Sequence, residues 1–193
     1  MPAQTRYRLP VPLKLCVVFI LLLALAMPAA ADQNTADALT MAVFAGRTNE
    51  IVALLDKGAD VNAPDSFGQT PLYAAVRPRH AAIVKLLLER GADVNSTGPE
   101  GETALNRATY TTITDIAALL LEHGADVNRP TKDGRTPLMG ACMGGDANLT
   151  KMLLDKGADV TARERFGFTP LVIAQRNKRS HLVELLKSYG AKE

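Results

Sequence analysis

The 193-residue chain has no tryptophan, two cysteines, and aromatic side chains at only 5% of its positions. Two cysteines exclude a disulfide scaffold, and no cysteine and histidine spacing matches a zinc site. Its 22 lysines and arginines nearly balance 20 acids, so the strongly basic composition of a general nucleic-acid binder is absent. The length is sufficient for one domain with its own core. Composition therefore indicates a globular chain and says nothing about its chemistry.

One apolar run, residues 15–27, lies near the N-terminus and follows three basic residues with no acid among them. A helix over this run would span about 20 Å, which is less than the roughly 30 Å of a bilayer core. Small residues, Ala29 and Ala31, then precede Asp32. These three parts are typical of a secretory signal peptide. We therefore predict a signal peptide over residues 1–31, with an uncleaved membrane anchor as the alternative.

Removing that segment changes both the charge and the thiol content of the chain. The segment holds three basic residues, no acid and Cys16, so 19 basic residues, 20 acids and Cys142 remain. Cys142 aligns with Val43 and Val76, which predicts a buried structural thiol rather than a redox site. The export signal, with no other localisation signal, predicts a periplasmic location.

A period of 33 residues organises residues 32–193. The tripeptide Gly-Ala-Asp begins at Gly58, Gly91, Gly124 and Gly157, and Gly190-Ala191 opens a further copy. Three other landmarks keep the same phase: a Thr-Pro-Leu or Thr-Ala-Leu tripeptide from Thr70, a glycine from Gly68 and an alanine from Ala42. One unit of this length cannot bury its own apolar stripe, so the units must stack.

The residue pattern of each unit predicts two helices. Thr70 can accept a free helix N–H and Pro71 presets φ, which predicts a short helix over 71–77. Apolar residues at helical spacing predict a second helix over 81–90. Gly91 then follows at the position where a helix ends in the left-handed conformation.

These residues resemble the ankyrin repeat, in which T-P-L precedes a small alanine and V-x-L-L-L-x-x-G-A-D-V-N ends the second helix. The resemblance implies an all-α solenoid of helix-turn-helix units joined by β-hairpin loops. It covers essentially all of the predicted mature chain, residues 32–193, as about five units of about 33 residues: 34–66, 67–99, 100–132, 133–165 and 166–193. It is silent about any one partner or pathway.

Three departures from that family pattern affect the expected packing. The family usually has a histidine after T-P-L that ties neighbouring loops together; this chain has Tyr73, Asn106, Met139 and Val172 there. We therefore do not expect that hydrogen bonding between repeats. Thr161 replaces the last asparagine of the D-V-N series. Asp37 in the first unit and Lys187 in the last place polar residues at both ends, which predicts terminal caps.

The chain contains no hydrolase, Walker-loop or dinucleotide-binding motif. Its histidines, His80, His123 and His181, fall at unrelated phases of the repeat, so we predict structural or solvated roles for them and no metal site. The aspartates of Gly-Ala-Asp recur with the repeat as turn residues would. We therefore predict no enzymatic activity, no cofactor and no bound metal.

Positions that are neither turn, cap nor core remain free for a partner on the concave face, formed by hairpin tips and first helices. The predicted partner-binding residues are Phe67, Arg77, Tyr110, Arg135, Arg163, Arg165, Phe166, Phe168 and Arg176. Exposed aromatics flanked by arginine are typical of interface hot spots, and the C-terminal basic cluster favours an acidic partner surface. We predict the C-terminal patch as the main contact, with the rest of the concave face as the alternative.

The sequence thus predicts an exported binding protein of a bacterial envelope, monomeric, that contacts another protein and neither nucleic acid nor, after cleavage, membrane. An inhibitor, an immunity factor or a protective accessory protein fits this description. The alternative is a structural envelope scaffold or a membrane-anchored adaptor.

Overall fold

A computed structural model describes residues 29–192, with side chains from residue 33 onward. Ten α-helices in this part of the chain alternate between a first and a second helix of each repeat. They are α1 Ala29–Phe44, α2 Thr48–Asp56, α3 Pro71–Val76, α4 Ala81–Glu89, α5 Ala104–Tyr110, α6 Thr114–Glu122, α7 Pro137–Gly144, α8 Ala147–Asp155, α9 Pro170–Arg176 and α10 Ser180–Ser188. The predicted signal peptide lies outside the described residues except for residues 29–31, which open α1.

The first helices begin as the repeat pattern predicts. A threonine hydroxyl accepts the backbone N–H three residues on at Thr70, Thr103, Thr136 and Thr169. Proline follows three of these caps, and at Thr103 the Asn106 side chain completes a reciprocal capping box. The first unit has no such cap, because α1 runs through Asp37 without a break. The Asp37 carboxylate instead accepts the backbone N–H of Ser66, which fastens α1 to the first tip.

The loops between repeats are tighter than regular β-hairpins. Each tip is closed by one backbone hydrogen bond between residues four apart, as from Asp65 N to Gln69 O, and this bond recurs every 33 residues. A glycine with positive φ, such as Gly68, makes the turn at each tip. The described residues contain one isolated bridge, between Thr97 and Thr103, and no strand.

The Gly-Ala-Asp segments link neighbouring repeats. In each copy the aspartate carboxylate accepts the backbone N–H two residues on, which confirms the predicted turn role. The asparagine side chain that follows accepts the N–H of the next repeat's aspartate at 2.8 Å. The Thr161 hydroxyl instead donates to the Asp159 carboxylate of the same turn, so the fourth copy does not continue this series of links.

Hydrogen bonding after Thr-Pro-Leu survives without histidine, contrary to our expectation. The Tyr73 hydroxyl donates to Glu102 Oε2 of the following tip at 2.7 Å, whereas Asn106 Nδ2 donates to Arg129 O of its own unit at 3.0 Å. The expectation was wrong for Tyr73, because its phenol is long enough to reach the next repeat. At Met139 the side chain is fully buried and belongs to the core.

One apolar core runs through the described part of the chain from Leu39 to Ala191. Each first helix packs on the next first helix, and from α4 onward each second helix packs on the next second helix. The first helices contact one another more extensively than the second helices do, and in a solenoid of this kind the first helices and the tips form the concave face. Cys142 is fully buried in this core, as predicted, and burial raises the pKa of its thiol to about 12.

The histidines pack or point to solvent as single side chains. The His80 ring lies against Gly46 of the preceding repeat, where an added Cβ would come within 3.0 Å of it. His123 caps the end of α6 with Nδ1 2.9 Å from Leu119 O, and exposed His181 lies 3.4 Å from Gly145 O. Within residues 33–192, no group of three or more His, Cys, Asp or Glu side chains could hold a metal ion.

Candidate functional site

Three cavities follow one another along the concave face. The N-terminal cavity, about 430 Å³, is lined by α1, the first tip, α3 and Arg107 of α5. The central cavity, about 230 Å³, lies between Tyr110 and Met143. The C-terminal cavity, about 420 Å³, includes Phe166 and Phe168. Arg135 and Met143 line both the central and the C-terminal cavity, so these two form one continuous depression.

The N-terminal cavity contains two of the predicted residues, Phe67 and Arg77. Phe67 is 76% exposed at the tip, and Met41 and Phe44 of α1 beside it are 71% and 54% exposed. Arg77 has no hydrogen-bond or ion-pair partner within the described part of the chain. This cavity thus combines three unburied apolar side chains with an uncompensated cation.

The N-terminal cavity is connected to the central cavity by Arg107, the Tyr73 ring beneath it and the Glu102 carboxylate. The guanidinium of Arg107 lies 4.3 Å from the centroid of the Tyr73 ring. Burial, and then the hydrogen bond to Glu102, raise the pKa of Tyr73 to about 12, so the hydroxyl stays protonated and the Glu102 carboxylate stays occupied. Predicted residues Tyr110 and Arg135 line the central cavity beyond it.

The C-terminal cavity holds Arg135, Phe166, Phe168 and Arg176 of the predicted set. Phe168 is half-buried against the core, with Arg176 stacked over its ring at 4.4 Å. We expected core packing not to require Phe168, and this was wrong because its ring lies between the core and α9. Phe166 is 64% exposed, and its own neighbour Arg165 covers one side of the ring at 4.8 Å.

The remaining two predicted residues form contacts within the chain. Arg165 pairs with Asp133 of the preceding tip at 2.8 Å, and its backbone N–H donates to Asp133 O. Arg163 donates to Gly167 O at 2.9 Å, which closes its own tip. Both side chains are exposed, but neither lines one of the three cavities. The structure therefore brings seven predicted residues to the row of cavities and leaves these two on the tips.

The lining of the three cavities holds more arginines than acids, namely Arg47, Arg77, Arg107, Arg135 and Arg176 against Asp65, Glu102 and Glu164. Asp65 accepts the N–H groups of Phe67 and Gln69, and Glu164 does the same for Phe166 and Phe168. Four arginines line the cavities without a carboxylate within ion-pair distance in the described residues: Arg77, Arg107, Arg135 and Arg176. The cavities are thus positive, whereas the whole chain is near neutral.

Some charges on the second helices are paired, whereas others, such as Asp115 and Glu122 of α6, have no ion pair in the described residues. Arg90 of α4 contacts Asp56 at the end of α2 at 2.9 Å, which joins two repeats. On α8, Lys151 pairs with Asp155, and the Tyr189 hydroxyl donates to the same carboxylate. Such exposed pairs contribute little to stability. The excess of arginines over acids is a feature of the cavity lining.

Three residues of this face, Met41, Phe44 and Arg107, were not predicted from the sequence. Phe44 occupies the same phase as Arg77 and Tyr110, so counting one unit back would have found it. Met41 and Arg107 share another phase in the same way. Met41 and Phe44 lie on the long helix α1 and were missed because the first unit lacks the Thr-Pro-Leu landmark that sets the phase in the other units.

In the part of the chain that the structure describes, no helix has the length and apolar character to cross a membrane.

Comparison with known families agrees with this architecture. A family model described as ankyrin repeats (3 copies) matches residues 14–98, 39–131, 93–164 and 129–193, which together cover nearly all of the chain. A search of curated proteins finds no match. Ankyrin repeats are generally protein–protein interaction modules and are typically non-catalytic. The chain therefore belongs to the ankyrin-repeat family.

Proposed function

We propose that this chain is a non-catalytic binding protein that holds an acidic partner protein on its concave face. The observation that carries the proposal is the excess of arginines over acids in the cavity lining, with four arginines that have no carboxylate within ion-pair distance in the described residues. An arginine left without a carboxylate in a concave site attracts a carboxylate from outside, and a bidentate pair adds orientation. A positive field on an otherwise near-neutral protein also speeds encounter with an acidic surface.

The export signal predicted over residues 1–31 supports a role in a bacterial envelope, with the mature chain in the periplasm. There the protein acts as an inhibitor, an immunity factor or a protective accessory of an envelope protein. A scaffold that bridges envelope components would use both faces of the solenoid. The excess of arginines over acids in the cavities supports a contact on the concave face alone.

Partner capture with matched charge changes tests this proposal. The tagged chain is expressed in a Gram-negative host and purified in the form that the host exports. Mass spectrometry of its N-terminus reports whether residues 1–31 have been removed. It is then used as bait in periplasmic extract beside the double variant Arg135→Glu/Arg176→Glu. The control is Lys85→Glu/Arg90→Glu on α4, which makes the same change in charge on the outer face.

We expect one partner that the unchanged chain and the α4 control capture and the concave variant loses by at least tenfold. Circular dichroism must first show that all three baits are folded. Equal capture by the two charge variants would contradict a concave binding face. Loss of capture by the α4 control alone would place the contact on the outer face and favour the scaffold.

A further inference from the structure

The N-terminal cavity leaves more apolar surface in water than any other part of this face. Met41, Phe44 and Phe67 converge on it, and each exposes more than half of its side chain. Exposed large apolar side chains scattered singly need no explanation, but three around one cavity indicate a binding site. Its volume of about 430 Å³ falls in the range of roughly 300–1,000 Å³ that ligand pockets occupy.

A buried polar group in the same cavity lacks a partner. Thr40 is 5% exposed and lines the cavity, and its hydroxyl has no hydrogen-bond partner in the described part of the chain. Arg107, on the opposite wall, has a buried Nε that also lacks one. Buried polar atoms are nearly always paired, so a cavity with two unpaired ones is suited to an occupant that brings polar atoms with it.

The charges around the cavity select the sign of that occupant. Asp65 supplies the carboxylate of the cavity lining. Its Oδ1 accepts hydrogen bonds from the backbone N–H groups of Phe67 and Gln69. Arg47 is held by Glu50 at 3.2 Å, whereas Arg77 has no acid in the described residues. An occupant with carboxylates beside an apolar group would compensate Arg77 and Arg107.

The chain's own predicted leader does not fit this requirement. It carries Arg6, Arg8 and Lys14 and no acid, so it would add positive charge to a positive cavity. A second copy of the chain would have to offer an acidic apolar segment, yet its exposed phenylalanine at the other end, Phe166, is covered by Arg165. A partner segment that is both acidic and apolar fits better than either.

We infer that the N-terminal cavity binds one large apolar side chain of an acidic, extended segment of the partner, with Arg77 and Arg107 receiving the neighbouring carboxylates. The inference rests on the proposed function and locates the anchor of that interaction. The rest of the segment follows the row of cavities toward Arg135. Phe44 and Phe67 form the walls for the apolar side chain, so they are the specificity-determining residues.

Synthetic peptides test the inference without knowledge of the partner. The probe is a fluorescein-labelled peptide of glutamates and serines with one central phenylalanine. Matched peptides replace that phenylalanine by alanine, or every glutamate by lysine. Fluorescence anisotropy measures binding to the chain, to Phe44→Ala/Phe67→Ala, and to the control Phe166→Ala, which changes an equally exposed ring at the other end.

We expect the acidic phenylalanine peptide to bind, and both the alanine peptide and the Phe44→Ala/Phe67→Ala variant to lose at least tenfold in affinity, about 1.4 kcal/mol. The lysine peptide should not bind, and Phe166→Ala should change affinity less than threefold. Equal binding of the probe to the chain and to Phe44→Ala/Phe67→Ala would overturn the inference, as would no binding at millimolar peptide.

Other occupants give distinct results. A dimer in sedimentation velocity that Phe67→Ala dissociates would assign the cavity to a second copy. That result would overturn the inference. Probe binding only after residues 1–31 are removed would show that the leader covers the cavity before cleavage and would support the inference for residues 32–193. The proposed function fails separately, when the partner captured from extract is indifferent to Arg135→Glu/Arg176→Glu.

Discussion

The two ends of the concave face carry similar residues in opposite states. At the C-terminal end, Arg165 covers Phe166 and Arg176 covers the half-buried Phe168, so the chain itself uses its aromatic and cationic groups. At the N-terminal end, Phe67 extends from its tip without such a cover, and Arg77 has no acid among the described residues. Composition alone therefore does not tell an available hot spot from one that is already satisfied.

The tip acids, unlike the rings, are in the same state at the two ends. Asp65 and Glu164 occupy the same phase, three repeats apart, and each accepts two N–H groups of its own tip. Both tips are thus rigid, and they differ in what the ring above them contacts. A rigid tip with an uncovered ring loses little conformational entropy when a partner binds, which favours the N-terminal end as the anchor.

The largest predicted difference between the ends is in stability. Phe168→Ala should lower the free energy of unfolding by about 2 kcal/mol, because it removes a half-buried ring from the core and from Arg176. Phe67→Ala should change it by less than about 0.5 kcal/mol, because the ring is exposed. Urea denaturation followed by circular dichroism measures both. Equal losses would mean that Phe67 is also packed and would remove the contrast.

Alkaline pH should destabilise the C-terminal half first. The Cys142 thiol ordinarily has a pKa of 9.0, and burial on α7 raises it to about 12. Above pH 9 the unfolded chain therefore binds fewer protons than the folded chain, so the free energy of unfolding falls by about 1.4 kcal/mol per pH unit. This contribution is complete below pH 9 and is lost as the pH rises toward 12.

Denaturation at pH 8, 9 and 10 measures that slope. Cys142→Val, which places the valine of positions 43 and 76 at this site, should remove it. Tyr73 on α3 ordinarily has a pKa of 10.0 that is raised to about 12, so its similar loss begins one unit higher. A slope unchanged by Cys142→Val would contradict the assignment to the thiol.

A smaller difference is expected in the links between repeats. Asn62 near the N-terminal end joins Asp93 N and Gly91 O of the next repeat, so Asn62→Ala should cost about 1 kcal/mol. Thr161 at the same phase bonds only to Asp159 of its own turn, and Thr161→Ala should cost less than half as much. Thermal unfolding of the two variants makes the comparison. A larger loss for Thr161→Ala would show that local turns outweigh the links.

The smallest predicted stability effect concerns the two arginines at the same phase of α3 and α9. Arg176→Gln should lower stability by about 0.5 kcal/mol through loss of the contact with Phe168. Arg77→Gln should leave stability unchanged and weaken binding of the acidic peptide at least threefold. Urea titration and anisotropy on the same preparations measure both. Destabilisation by Arg77→Gln would reveal an internal partner and would remove it from the site.

Much of the fold was predictable because the same local sequence signals recur in several repeats. Thr70 and its counterparts, the glycines of the tips and Gly91 all act through their own backbone neighbours, within four residues. The first helix was less predictable, because α1 runs through the point where the other units have a capping threonine. The Tyr73–Glu102 contact was missed because it depends on how far a side chain reaches between repeats.

The site could be predicted as a set of positions but not as a set of available groups. Counting the phase identified Phe67 and Phe166 as equivalent, and both are exposed. Whether Arg165 is free or forms an ion pair with Asp133 depends on the distance between two neighbouring tips. The identities of these two residues do not determine that distance. The preference for the C-terminal patch therefore rested on charge that the chain already uses in part.

The most direct test of the account compares Phe67→Ala with Phe166→Ala in binding to the partner captured from extract. The two side chains are the same type, occupy the same phase three repeats apart and are both exposed, so the substitutions remove similar amounts of exposed surface. The account predicts at least a tenfold loss of affinity for Phe67→Ala and less than threefold for Phe166→Ala. A tenfold loss for Phe166→Ala with Phe67→Ala unchanged would contradict it and place the anchor at the C-terminal end.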